Sequence, residues 1–248
     1  MTGAGVLFQR EARAAFASVS FYVQAAAFLA ASGWSLVDAL RRGEGGFVLV
    51  PALWVGSVAF WLPFLSALTT MRSFSAERAS GTLETLLTAP ISESQVVWGK
   101  FQSAFLMGFT GLALAGLAPT VLLPWLSPRL ADGIAAWPLV AGIVTLMIQL
   151  ALWTAVGIFF SLACEQQAAA AACSLFVCLV VPLAVEAAAG AWFPGVSLAA
   201  AGFPAAGWAA DAASGLLALA PVVCYGAAAR GFLFLTTLLL EARQIRTG

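Results

Sequence analysis

Apolar residues run along this chain in long blocks separated by short polar intervals. Six blocks, at about 18–37, 47–70, 101–124, 138–163, 168–189 and 216–240, reach the roughly 20 residues that a helix needs to cross a bilayer. The longest polar interval, 71–100, lies between the second and third blocks and holds six of the 22 charges. Its pattern predicts a short helix to Ser80, a break at Gly81, and a second short helix whose Leu83, Leu86 and Leu87 share one face. Pro90 stops that helix, because the residue before a proline is pushed towards extended geometry. Ser92-Glu93-Ser94-Gln95 then fits a capping box, with Ile91 and Val96 at the positions of a hydrophobic staple and Glu93 favoured by the helix dipole. The third long helix is therefore expected to start near Glu93 and to enter the lipid about two turns later. Lys100 falls at the membrane boundary, where its ammonium is expected to snorkel to water. Residues 190–215 are too apolar for a free loop and too broken by Gly and Pro for a span, which predicts a re-entrant hairpin or interfacial helix pair on the outer face.

Composition turns this pattern into a class. The chain is 62% apolar and 9% charged, where soluble domains are nearer half and a quarter. It reads as an all-α integral membrane protein, and so few residues lie outside the six blocks that a domain outside the membrane is expected to belong to another chain. The first block follows Arg10 and Arg13 and resembles a secretory signal, with Ala30, Ala31 and Ser32 as its cleavage site. With five more spans following, an uncleaved first helix is expected.

Charge and chemistry narrow the function. Eleven basic residues balance eleven acidic ones, so no basic patch argues for a nucleic-acid partner. The absence of histidine removes histidine-based nucleophilic catalysis, zinc sites and proton relays. Ala213-Ser214-Gly215 lacks a base for serine chemistry, and Asp38, Asp132 and Asp211 fall at or outside span ends, so no catalytic site is expected. Cys164, Cys173, Cys178 and Cys224 read as small buried hydrophobes, with no metal site and no disulfide. There is no GxxxxGK[ST] loop, so nucleotide bound in the P-loop manner must be held by another protein.

Counting Lys and Arg in the short loops gives the orientation. With the N-terminus inside, the inner segments hold Arg10, Arg13, Arg72, Arg78, Lys100, Arg243 and Arg246; the outer ones hold Arg41, Arg42 and Arg129. Both termini and the 71–100 interval are thus expected in the cytoplasm. The leucine face at 83–87 then needs a separate partner to pack against. Trp34, Trp98, Trp125 and Trp137 fit aromatic belts, whereas Trp54, Trp61 and Trp153 look deeper. Arg230, about midway through the last block, faces either a subunit interface or path, near Glu186 or Asp211, or else lies nearer the outer interface. Glu186 is read as a substrate contact or as the point where the fifth helix leaves the lipid. Gly108, Gly111, Ala115, Gly142 and Gly157 permit close helix approach. A stand-alone channel or secondary transporter is the alternative to an ATP-driven subunit, but it would need polar sites at the midplane and the blocks offer few.

The stretch MRSFSAERASGTLETLLTAPISESQVVWGK resembles the signature of ABC-2 type transporter permeases through Met71, Arg72, Phe74, Glu77, Arg78, Gly81, Thr82, Leu83, Glu84, Leu86, Leu87, Pro90, Gly99 and Lys100. SLACEQQAAA at 161–170 and CYGAAARGFLFLTTLLLEARQIR at 224–246, with Tyr225, Glu241 and Arg243, are similar to the gliding-motility-type (GldF-like) branch. Residues 190–215 depart from that branch, being mostly Ala, Gly, Pro, Phe and Trp.

The resemblance implies a type V exporter-like fold of six spans in a bacterial inner membrane, with an N-terminal interfacial helix over 4–16. It implies a cytoplasmic coupling segment at 72–92, with Glu77, Arg78, Gly81, Thr82, Leu83, Glu84, Leu86, Leu87 and Pro90 as its coupling residues. Arg230, Glu186 and Tyr225 are the candidates for the path or the subunit interface. Two permeases, copies or paralogues, would form the path. Each would sit on a P-loop ATPase that binds ATP and Mg, and an auxiliary membrane protein with an extracytoplasmic domain would accompany them.

Overall fold

The computed structural model describes residues 3–41, 50–81, 92–117, 136–192 and 219–247. These residues form eight helices and, among themselves, no strand: α1 (Gly3–Phe16), α2 (Val19–Arg41), α3 (Val50–Thr70), α4 (Ser75–Ala79), α5 (Glu93–Leu117), α6 (Ala136–Ala163), α7 (Gln167–Trp192) and α8 (Leu219–Thr247). Helix is the form expected of such sequence in lipid, because it satisfies every backbone group within one segment.

The packing has α6 at its centre, against α3, α5, α7 and α8. α3 and α6 run parallel in one register: Val55 lies against Gly142 and Thr70 against Gly157. Over the 15 steps between those contacts, about 22 Å at 1.5 Å per residue, neither helix slips against the other. Small residues at both ends let the backbones approach, as the sequence led us to expect of Gly142 and Gly157. α2 lies antiparallel to α3, with the Trp61 indole N–H donating to Ser35 Oγ at 2.8 Å. α3 lies antiparallel to α5, with Trp54 Nε1 donating to the Ala115 carbonyl at 3.2 Å. α8 runs alongside α6 in the same direction, Tyr225 meeting Trp153 and Phe232 meeting Phe159. Val55, Val58, Leu62, Leu146, Leu150 and Ile158 form the dry centre.

The outside of the bundle is apolar too. Val19, Tyr22 and Val23 on α2, Phe176 and Val180 on α7, and Leu219, Val223 and Phe234 on α8 are all exposed. An apolar surface of that extent belongs in lipid or against another chain. Trp34, Trp98 and Trp137 are exposed, Trp54 and Trp153 buried and Trp61 half-buried, while Trp125 lies outside the described residues.

Among the described residues, four helices are long and apolar enough to cross a membrane: Val19–Arg41, Ala52–Ala79, Leu139–Ala163 and Pro221–Ala242. The chain is thus a multi-pass membrane protein. The third and fifth predicted blocks are helical, as α5 and α7, without joining those four. α5 is diluted by Lys100, Gln102, Ser103 and four glycines, and its apolar continuation at 118–124 lies outside the described residues. In α7 the stretch Gln167–Val181 is apolar, and the side chains of most residues from 182 to 192 lie outside those described. Of the expected outer segment, only 190–192 is described, as the end of α7; residues 193–215 lie outside.

α1 is amphipathic: Leu7 and Ala12 are buried while Gln9, Arg10 and Arg13 are exposed. It packs chiefly on α5. A tight turn then leads into α2, with Ala17 N–H donating to the Arg13 carbonyl and the Phe16 and Phe21 rings edge to face at 5.0 Å.

Candidate functional site

The 71–81 segment leaves α3 through a hydrogen-bonded turn. Met71 N–H donates to the Ala67 carbonyl and Ser73 N–H to that of Thr70, both at 2.9 Å. The Ser75 hydroxyl donates back to the Met71 carbonyl. α4 is then a single turn, closed where Ser80 N–H reaches the Ala76 carbonyl and Gly81 N–H that of Arg78. Among the described residues Gly81 alone has a positive φ, +71°, a left-handed geometry that glycine adopts without steric cost. The break predicted at Gly81 is therefore present.

This segment and the end of α6 cap each other. The first N–H groups of a helix and its last carbonyls have no partners within it. Here Phe74 and Ser75 donate their N–H groups to Ser161 Oγ at 3.0 and 3.4 Å, and that hydroxyl lies 3.2 Å from the Met71 carbonyl, to which it donates. In return the Arg78 guanidinium donates to the carbonyls of Leu162 at 2.6 Å and Cys164 at 3.2 Å. A cation at a helix C-terminus also opposes the negative end of its dipole.

A second tie runs through Lys100 of α5. Its ammonium donates to the Ser73 carbonyl at 2.7 Å and to Glu77 Oε1 at 2.8 Å, and lies 3.5 Å from Glu11 Oε1 on α1. It also sits 5.0 Å from the centre of the buried Phe74 ring. An ammonium has three protons, and here each has an acceptor. The expected snorkelling does not occur: Lys100 is 1% exposed. Three oxygen acceptors within the protein replace the water that its headgroup would otherwise seek. Glu77 and Glu11 keep partial contact with water, at 21% and 28% exposure. One turn of helix is thereby fastened to α1, α5 and α6.

Glu77, Arg78 and Lys100 are thus brought together from the residues singled out in the sequence, with Gly81 closing the turn. Thr82, Leu83, Glu84, Leu86, Leu87 and Pro90 lie outside the described residues. α5 starts at Glu93 as expected, with Gln95 and Val96 donating their N–H groups to the Ser92 carbonyl; the Ser92 hydroxyl lies 3.2 Å from that of Ser94.

The remaining candidates lie elsewhere. Glu186 falls within α7. Tyr225 is wholly buried, its ring 6.1 Å from that of Trp153, and so faces the chain's own core. Arg230 lies near the middle of the candidate span Pro221–Ala242 by sequence. It shares a groove with Ser94 and Trp98 at the start of α5, and its neighbour Phe232 meets Phe159 one turn from the end of α6. It therefore sits at the same end of the bundle as the 71–81 turn. α8 runs for 29 residues, about 44 Å at 1.5 Å per residue, against roughly 30 Å of hydrocarbon.

Glu11 and Ser161 were not singled out from the sequence. Glu11 is the one acid among the first 37 residues, flanked by Arg10 and Arg13, and that isolation was the available signal. Ser161 opens the 161–170 stretch, but nothing in its spacing points to a turn some 90 residues earlier.

A comparison with curated proteins returned no match. A family model described as ABC-2 family transporter protein matches residues 5–236, nearly the whole chain and the whole of the 71–100 interval. A multi-pass bundle with a doubly fastened turn after its second long helix is in keeping with that match, and the chain belongs to the ABC-2 transporter family as a non-catalytic membrane permease component of an ABC transporter.

Proposed function

We propose that this permease serves an exporter, with six spans in the type V exporter-like arrangement, in a bacterial inner membrane and with both termini in the cytoplasm. Two such subunits, copies or paralogues, enclose the path. Each rests on a P-loop ATPase that holds ATP and Mg. The 72–92 segment is the coupling helix, and Thr82, Leu83, Glu84, Leu86, Leu87 and Pro90 form the surface that meets the ATPase. The stretches at 161–170 and 224–246 favour the gliding-motility-type branch, and with it an auxiliary membrane protein bearing an extracytoplasmic domain.

One observation carries this reading. The turn at the head of the segment is joined by Arg78 to the last carbonyls of α6, and by Glu77 and Lys100 to α5 and, through Glu11, to α1. A displacement of the segment therefore acts on the central helix and on its neighbours together. An ordinary connecting loop has no need of such fastening. The test is to introduce Glu84→Arg and Leu87→Asp and to purify the chain from its host in mild detergent. Membrane insertion is expected to persist while the co-purifying P-loop ATPase falls by about tenfold or more, a loss of about 1.4 kcal/mol of binding. Unchanged recovery of the ATPase and unchanged transport in both variants overturns the proposal.

A further inference from the structure

A groove of about 350 Å³ runs between the start of α5 and α8, with Val97 and Leu233 as its buried floor and Ser94, Trp98, Arg230 and Thr237 along its walls. Arg230 is the one charge among its described lining residues. That side chain is exposed, and no hydrogen bond or ion pair joins it to another described residue. A guanidinium on a membrane-spanning helix is costly until a counter-charge or water meets it, and it brings five N–H donors. Its polar neighbours are engaged already. The Thr237 hydroxyl donates to the Phe234 carbonyl at 2.7 Å, and the Ser94 hydroxyl lies 3.2 Å from that of Ser92. Trp98 is exposed, and its indole N–H bonds to no described residue. The open donors of the groove are thus one guanidinium and one indole N–H, both reachable from outside the bundle.

Two observations set the depth of this groove. Ser94 is the second residue of α5, and Phe232, beside Arg230 in sequence, meets Phe159 one turn from the end of α6. The groove therefore opens where the bundle leaves the hydrocarbon, at the level of lipid headgroups. From it an apolar track leads the other way along α8: Val223 and Leu219, two and three turns back on the face of Arg230, are both exposed.

We propose that this groove holds the phosphate of an anionic phospholipid, of the glycerol-headgroup type. Arg230 takes two phosphate oxygens through paired N–H donors, the geometry in which guanidinium and phosphate match best, and the Trp98 indole donates to a third oxygen. The acyl chains follow Phe234, Val223 and Leu219. Charge selects the headgroup. No carboxylate is among the described lining residues, so the ammonium of a choline or ethanolamine headgroup meets only the like charge of Arg230, whereas a glycerol headgroup leaves one net negative charge to face one positive. The inner leaflet supplies this lipid on the reading above that the 71–100 end of the bundle faces the cytoplasm; the binding chemistry itself does not depend on that reading.

The full chain is held in mild detergent and titrated with phosphatidylglycerol, phosphatidylcholine or soluble glycerol phosphate, and bound copies and chains per complex are counted by native mass spectrometry. Phosphatidylglycerol is expected to bind about tenfold more tightly than phosphatidylcholine, as for one charge-assisted hydrogen bond, and more tightly than glycerol phosphate. Arg230→Gln is expected to abolish that preference, and Arg230→Lys, which keeps the charge but not the paired donors, to retain part of it. Arg10→Gln, which removes an exposed cation from α1, is expected to leave the preference in place. Equal binding of the two lipids overturns the proposal, as does a preference that survives Arg230→Gln or falls equally with Arg10→Gln. Tighter binding of glycerol phosphate than of the lipid also overturns it. So does an Arg230→Gln variant that loses a second copy of the chain while its lipid count stays the same, since the groove would then be a contact between subunits. Sidedness and ATPase recovery are measured separately, so a failure of the groove to bind lipid in detergent is distinguishable from a failure of the orientation or of the transporter reading.

Discussion

At the scale of single residues, Lys100 shows how a sequence signal and its structural outcome diverge. A lysine two turns into a membrane-bound helix is expected to reach for water. In this protein Ser73, Glu77 and Glu11 lie close enough to replace that water. Position and charge were legible along with Glu77 and Arg78, because all three fall in one recognisable stretch. Their partners were not legible. Three of them are backbone carbonyls, of Ser73, Leu162 and Cys164, which have no side-chain signature, and Glu11 is 89 residues from Lys100. Replacing the lysine leaves two carboxylates facing each other across the space it filled. Lys100→Met is expected to destabilise the protein near the lower end of the 3–5 kcal/mol typical of a broken buried pair, because both acids keep some water. Thermal unfolding in detergent measures it. The double variant Lys100→Met/Glu77→Gln is expected to recover part of the loss, and a double variant no more stable than the single one would show that the pair is not coupled.

At the scale of elements, hydropathy located the helices well but ranked them poorly as spans. α2, α3, α6 and α8 each hold a stretch whose mean hydropathy suffices for a span. α5 does not, since an average over its residues counts Lys100 and Ser103 as polar although both are buried in protein. The parallel alignment of α3 with α6 was also invisible in the sequence, because glycines advertise close approach without naming the partner. In the structure a Cβ at Gly157 would lie 2.9 Å from Thr70 Cβ. Gly157→Ala is therefore expected to cost about 1–3 kcal/mol, the usual range for overpacking. Gly226, where an added Cβ meets nothing within 4 Å, is the control: Gly226→Ala is expected to leave the melting temperature unchanged or raised. Equal melting temperatures for the two variants would mean that the α3–α6 contact is looser than described.

For the whole molecule, the placement of Arg230 ties the last helix to the end that carries the 71–81 turn. In a background with Cys164, Cys173, Cys178 and Cys224 replaced, single cysteines at 94 and 230 are expected to react with a membrane-impermeant thiol reagent from the same side, and one at 219 from the other. Labelling of 230 together with 219 would contradict that placement. The two fastenings of α4 also differ in when they become possible as the chain is made. Synthesis runs from the N-terminus, so Glu11, Ser73 and Glu77 all exist before Lys100 leaves the ribosome, and the lysine never has to be buried alone. Arg78 waits instead, since the Leu162 carbonyl comes 84 residues after it. Until α6 is complete its guanidinium must remain hydrated, and the turn is held on one side only. The order of residues along the chain thus also sets an order of assembly, with the charged tie first and the cap on the central helix last.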